Sequence, residues 1–197
     1  MTESRYDQFL SEINQGPNQL ATIYHAVRNI PYGSVGERDP LLVMKNRSGS
    51  CSGKHILLRN LLRKAGYQAG VMTILTHFDS KLKPNEAFPP ELNLMIEEGG
   101  ICDYHHYVRV GGPDGQKLDA TWQDTLSPYG FPVNSGWDGE GDTELASVPI
   151  EVFEPVEDLI AFKIERINSL PKIEADRRSR FFDLLTGWIT KLGSGMR

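Results

Sequence analysis

The capacity of this chain for covalent chemistry centres on Cys51, which follows the turn-forming run Ser48-Gly49-Ser50 and opens an apolar-striped segment ending at Gly66. A helix beginning there puts the thiol in its first turn, where unpaired backbone N–H groups and the positive end of the dipole favour a thiolate. The Cys51 pKa is therefore expected below the roughly 8.5 of a free cysteine. A thiolate needs a base and an orienting partner. His105 and His106 stand side by side in the β-rich run 101–110, and Asp119 stands in the next such run. A carboxylate that accepts from an imidazole N–H sets its tautomer and favours the imidazolium. The plainer reading is structural, since a free cysteine is often a small core residue and a strand histidine often a satisfied one.

Which reading holds depends on the elements that carry these groups. After Lys54, the residues Ile56, Leu57, Leu58, Leu61, Leu62 and Ala65 recur at helical spacing, and Gly66 is a natural C-cap. A strand is expected over 67–75, and the aperiodic 76–91 reads as a long loop past its end, where substrate-binding loops often sit. Leu92, Leu94 and Ile96 alternate as in a strand. Strands over 101–110 and 116–121 then flank a hairpin loop at 111–115. Alternation puts Asp103, His105, Tyr107 and Arg109 on one face, and Cys102, Tyr104, His106, Val108 and Val110 on the other. The face with Val108 and Val110 is expected to pack, which turns His105 to the more polar side and within reach of Asp119. A register one residue off makes His106 the base instead.

Elsewhere the pattern is helical at both ends. Tyr6, Phe9, Leu10 and Ile13 form one series; after Gly16-Pro17, Leu20, Ile23, Tyr24 and Val27 form another, with Asn18 as its cap and Pro31 as its stop. Residues 31–50 read as loop, with a short helical turn over 41–44 expected to close over the cysteine. Residues 138–158 hold eight carboxylates and no Lys or Arg, the pattern of a solvated face, and favour cationic substrates if they border the site. A helix from Val156 ends at Pro171. The last helix, 173–192, carries Phe181, Leu185, Trp188 and Leu192 on one face, widened by Phe182 and Ile189, opposite Arg177, Arg178 and Arg180. That face is either core or a surface for a partner.

Composition narrows the classes. A chain of 197 residues is sized for one domain, and 39% hydrophobic with 24% charged residues describes an ordinary globular protein. A net charge of −5 gives no support to nucleic-acid binding. No apolar run approaches a membrane span, and the first fifteen residues lack the apolar centre of a signal peptide. Two cysteines exclude a disulfide scaffold and fit a reducing, cytoplasmic setting. Asp103, His105 and His55 would make a zinc site only with a further ligand. HExxH, Walker A and GxGxxG patterns do not occur, so no metal or cofactor is expected.

Taken together, Gly49-Ser50-Cys51 with Leu57-Leu58, Leu61-Leu62-Arg63 and Gly66, then His105-His106-Tyr107-Val108-Arg109-Val110, then Asp119-Ala120-Thr121, resemble the transglutaminase-like branch of the papain-like cysteine enzymes. That branch shows Gly-x-Cys at a helix start, Leu-Leu pairs and an Arg before a closing Gly, a strand His-x-Trp-x-x-Val and a strand Asp-x-Thr. The match covers about residues 38–122, with 54 residues from Cys51 to His105 and 14 more to Asp119. Tyr107 stands where Trp is usual, Ala120 where Pro is usual, and His55 where a small residue is common.

The resemblance implies an α+β fold, with N-terminal helices and the nucleophile helix packed on an antiparallel sheet in a single domain over 1–197, and a helical part over 154–192. It implies Cys51 as nucleophile, His105 as base and Asp119 as orienting carboxylate. Tyr32 is the candidate second oxyanion donor beside the Cys51 N–H, since it precedes the loop that must pass the helix start. His55, four residues after Cys51 on the same helical face, is placed to crowd or tune the thiol, and His106 is the rival base. The implied reaction is acyl transfer at an amide or related carbonyl through a thioacyl intermediate, ending in hydrolysis as in a thiol protease or amidase. An amide-forming or transglutaminase-type acyltransferase in a tailoring pathway, and a non-catalytic binding protein that keeps the fold, are the alternatives. Expected substrates are a peptide, a protein or a small amide; a closed cleft favours the small amide.

Overall fold

The computed structural model describes residues 2–13, 16–33 and 38–194. Three helices come first: α1 (Thr2–Glu12), α2 (Gln19–Arg28) and α3 (Pro40–Asn46). Asn18 caps α2 as expected, its side chain accepting from Ala21 N–H. The short turn expected over 41–44 is a seven-residue helix, α3, capped by Asp39 and packed on the helix that follows. Positions 34–37 of the loop expected over 31–50, Gly36 among them, lie outside the described residues.

Helix α4 (Cys51–Lys64) organises the rest. Ser50 is its N-cap, with the side-chain oxygen accepting from Gly53 N–H at 3.3 Å. The segment before α4 is pinned: Gly33 N–H donates to Gly49 O, and Gly49 N–H to Pro31 O. A side chain at Gly49 would meet Val43 at 2.8 Å, so glycine is what lets α3 lie against this strand-like pair. Tyr32 is thereby carried past the start of α4, next to Cys51.

The sheet contains β1 (Ala69–His77), β2 (Cys102–Val110), β3 (Gln116–Leu118) and β4 (Val148–Phe153) in the order β3-β2-β1-β4, every pairing antiparallel. The chain is thus α+β, with α4 packed against β1 and β2. One apolar cluster joins Ile23 and Val27 of α2 and Leu57, Leu58 and Leu61 of α4 to Val71, Val108 and Leu118 of the sheet. A second joins Phe78, Trp122 and Phe131 to α5 (Pro90–Glu98) and α7 (Lys172–Ser194), and Cys51 and Tyr32 belong to it. The body of α4 is therefore anchored in one cluster while its first turn projects into the other. Among the described residues, no helix is long and apolar enough to cross a membrane.

Three sequence expectations change. Leu92, Leu94 and Ile96 lie on α5 rather than a strand: Leu92, Met95 and Ile96 are buried at helical spacing, while Leu94 is 58% exposed, and Pro89-Pro90 starts the helix. The acidic stretch contains β4, whose alternating Val148, Ile150 and Val152 are exposed at the sheet edge. The strand expected over 116–121 pairs only to Leu118, so Asp119 stands just past its end. The two C-terminal helices occur as α6 (Leu159–Asn168) and α7. The apolar face of α7, through Phe181, Leu185, Trp188 and Ile189, is covered by the chain itself, and Arg177, Arg178 and Arg180 bind Glu98, Asp103 and Glu91.

Candidate active site

The first turn of α4 is tied to the segment after β3 by two side chains. Lys54 is fully buried and its amine donates to Thr121 O at 2.8 Å and Arg28 O at 2.9 Å. Burial lowers its pKa to about 7, and the neutral amine still has the two N–H groups that these carbonyls take. His55 Nε2 accepts from Ala120 N–H at 2.9 Å. These bonds hold Asp119, next to Ala120, opposite Cys51.

His105 fills the space between. Its Nδ1 lies 3.2 Å from Cys51 Sγ and its Nε2 lies 2.7 Å from Asp119 Oδ2. Because an ionised carboxylate only accepts, Nε2 carries the proton given to Asp119, and Nδ1 faces the sulfur. Asp119 is itself held: Oδ1 accepts from Thr121 N–H and Oγ1 at 3.0 and 2.6 Å, and Oδ2 from Ala146 N–H at 2.7 Å. Despite burial, the His105 imidazolium, with His55 also close by, holds the Asp119 carboxyl well below the usual carboxylate range. Burial alone raises the Cys51 thiol, but the His105 imidazole, with His55 beside it, outweighs burial and brings it down to about 5. Burial likewise opposes a cationic His105, yet Cys51 and Asp119 push it up to about 10. The resting form is thus a thiolate beside an imidazolium.

Those shifts fix a pH profile for stability. With ordinary values of 9.0 for the thiol and 6.5 for the imidazole, the unfolded pair holds one proton more than the folded pair between about pH 5 and 6.5. Stability is expected to rise there with pH, to be level from 6.5 to 9 where both states hold one proton, and to fall from 9 to 10. Urea midpoints across this range, in the parent and in Cys51→Ala, isolate the pair's share, about 2 kcal/mol between pH 5 and 6.5.

His106 is excluded as the partner of the thiol by its direction. In the antiparallel register it sits opposite Thr73, and its Nδ1 lies 3.1 Å from Thr73 Oγ1. Burial, with Lys163 nearby, pushes its pKa well below the ordinary value, and its link to Cys51 is the backbone oxygen, 3.8 Å from Sγ. The face bearing His105 is not an open polar one, as alternation suggests: His105 is 0% and Asp103 1% exposed, because α6 and α7 cover this side. Asp103, His105 and His55 do not assemble as metal ligands, since Asp103 is taken by Lys163 and Arg178 and His55 Nε2 by Ala120. Among the described residues no group of three or more His, Cys, Asp or Glu is arranged to hold a metal ion.

His55 has a defined state. Burial disfavours its cation, while Cys51 and Asp119 raise its pKa. The Ala120 N–H can only donate, however, and it fills Nε2, which makes His55 neutral with the proton on Nδ1. That N–H turns to Cys51, reaching its backbone oxygen at 2.9 Å and lying 3.5 Å from Sγ. His55→Ala is expected to raise the thiol pKa by about one unit and to cost ~2 kcal/mol of stability, because Ala120 N–H is left buried and unpaired. His55→Asn can place an amide N–H where Nδ1–H stood, so it should restore the thiol pKa without restoring stability. Alkylation profiles and urea midpoints read the two effects separately.

Neither a protein-family model nor a curated protein matches the chain. The site therefore rests on its own geometry. Tyr32 lines the same cavity as Cys51, and its phenol is pushed well above its ordinary pKa by burial, then by Cys51 and Asp103. Its hydroxyl is a neutral donor group of a residue on the wall of that cavity, and its backbone N–H is held by Gln123 Oε1 at 3.2 Å. The Cys51 N–H, first in its helix, has no partner within the helix. Ala146, Thr121 and Phe78, whose ring centre is 5.7 Å from that of His105, complete the surroundings of the pair. Thr121 is visible in the Asp-x-Thr pattern; Ala146, inside the acidic stretch, carries no such signal.

Proposed function

We propose that this protein is a cysteine-nucleophile acyl-transfer enzyme of transglutaminase-like, papain-type organisation that acts on an amide or related carbonyl, with hydrolysis as the outcome. The observation that carries this reading is the single His105 ring bonded on Nδ1 to Cys51 Sγ and on Nε2 to Asp119. The thiolate attacks the carbonyl carbon and forms a C–S bond, while the carbonyl electrons move to oxygen, next to the Cys51 N–H and the Tyr32 hydroxyl. As the C–N bond breaks, His105 gives its Nδ1 proton to the departing amine. His105 then takes a proton from water, which attacks the thioester, and the C–S bond breaks to regenerate the thiolate. Asp119 holds the ring in one tautomer throughout.

Closure of the site favours one second outcome. Cys51 is 4% exposed, and the cavity that meets it measures about 30 Å³. A site that admits little water lets an amine compete for the thioester, giving amide-forming transfer on a small substrate. The test is a small activated ester, p-nitrophenyl acetate, followed by stopped-flow absorbance and intact-mass analysis. One equivalent of rapid phenolate release with an acetyl group on Cys51, and partition to an added primary amine, separates hydrolysis from transfer. Release no faster than from a free thiol rejects both and leaves a binding protein.

A further inference from the structure

Lys163 and Arg178 have more hydrogen-bond donors than the chain uses. Arg178 on α7 grips the buried Asp103 carboxylate through Nε at 2.9 Å and Nη2 at 2.6 Å, and Lys163 on α6 reaches it at 3.2 Å. Among the described residues these are the only side-chain hydrogen bonds and ion pairs of either cation, which leaves two Lys163 N–H and the Arg178 Nη1 donors unspent. Lys163 is 6% exposed, so water has little access to its ammonium. One carboxylate thus faces two cations, and all three groups line the cavity that opens on Cys51, the cations outnumbering Asp103. The exposed Arg38 stands at its outer edge, and none of the carboxylates of 138–158 lines it. A cavity of about 30 Å³ takes roughly two water-sized groups, the size of a carboxylate and too small for a side chain.

We infer that this cavity is a subsite for a carboxylate carried by the acyl donor, held by Lys163 and Arg178 beside the carbonyl that Cys51 attacks. The identity of the ligand as an acyl donor rests on the function proposed above; the cationic wall does not. An added carboxylate brings the Asp103, Lys163 and Arg178 cluster to charge balance and takes the donors that Asp103 leaves, which selects acidic acyl donors over cationic ones. The carboxylate belongs either to an acidic peptide or to a small amide acid.

The experiment compares iodoacetate with iodoacetamide, which share a reactive carbon and a leaving group and differ in the carboxylate. Because the His105 imidazolium also favours an anion, the ratio of the two rates is read across variants. The parent is expected to show a ratio above that of a free thiol. Lys163→Met should lower it by roughly tenfold, the effect of one charge-assisted hydrogen bond. Lys163→Arg should keep it. Lys172→Met, at an exposed position on α7 that does not line the cavity and is paired with Asp176, removes the same charge and should leave the ratio unchanged. If Lys163→Met fails to fold, Arg38→Gln, an exposed change, should still lower the ratio by about threefold. An equal ratio in parent, Lys163→Met and Arg38→Gln overturns the subsite.

A second arm needs no nucleophile. In Cys51→Ala, sodium acetate but not acetamide, at constant ionic strength, should raise the melting temperature, and Lys163→Met should abolish the rise. A parent unreactive to both reagents with this rise intact would remove the catalytic reading and keep the subsite, while absence of the rise and of the rate preference would remove the subsite. Protection of Cys51 from iodoacetamide by succinamate, or by an acetylated glutamyl-peptide amide, tells a small amide acid from a peptide source; protection by neither counts against the site.

Discussion

His105→Ala is expected to move the midpoint of Cys51 alkylation from about pH 5 to above the ordinary thiol value, because burial then acts on the thiol without the imidazolium that offsets it. The expected loss in acyl-transfer rate is larger than the loss in alkylation rate. At pH 6.5 the thiolate population falls by at least about 100-fold, the fall reached already at a pKa of ~8.5. Each remaining thiolate is then a stronger nucleophile, by roughly 25-fold for a rise of that size, so net alkylation at this pH changes only severalfold. Turnover loses proton delivery to the leaving amine as well, a further ~10²–10⁴. The diagnostic result is therefore the displaced pH profile together with a turnover loss of about 10³ or more. His106→Ala, whose ring points to Thr73, is expected to leave the profile in place.

Asp119→Ala carries the largest expected cost in stability. Four buried donors end on this carboxylate: His105 Nε2, Thr121 N–H, Thr121 Oγ1 and Ala146 N–H. Each orphaned donor costs about 1–3 kcal/mol before relaxation, and breaking a buried charge pair costs about 3–5 kcal/mol, so a loss near 4 kcal/mol is expected. The sign of the pH dependence follows from the depressed folded pKa. The contribution of Asp119 is complete above its unfolded pKa of about 3.9 and is lost as pH falls through the folded value. Acid unfolding of the parent below pH ~4 should therefore be steeper than that of Asp119→Ala. Urea titrations at pH 7 and pH 3 measure both effects. A loss under about 1 kcal/mol at pH 7 would mean that the four donors find other partners.

What could be read from the chain and what could not divide along physical lines. Cys51, His105 and Asp119 each sit in a short local pattern: a capped helix start, an alternating strand and the residue after its partner strand. A hairpin brings the last two together, and α4 packing on the sheet brings the first. Tyr32 follows from a single topological requirement, that its loop pass the helix start, and the pairing of Pro31 and Gly33 with Gly49 meets it. Alternation points the wrong way at Leu92, Leu94 and Ile96: Leu92 and Ile96, four apart, also share a helix face with Met95, Leu94 falls off it, and the Pro89-Pro90 start decides for helix. The strand Val148–Phe153 gives no clear sequence signal because Pro149, Glu151 and the acidic neighbours mask an alternation that is present. Closure of the site had no local signature at all. It comes from Lys163 and Arg178, 60 and 75 residues from Asp103, and from an Ala146 backbone N–H within the acidic stretch. Such contacts are set by tertiary packing, and no period or cap announces them.

The central claim is that Cys51 and His105 rest as a thiolate and an imidazolium, and the most direct test is the iodoacetamide alkylation rate of Cys51 against pH in the parent, His105→Ala and His106→Ala. The account predicts a parent midpoint near 5, displaced above the ordinary thiol value by loss of His105 and unmoved by loss of His106. A midpoint at the ordinary thiol value in all three proteins would contradict it.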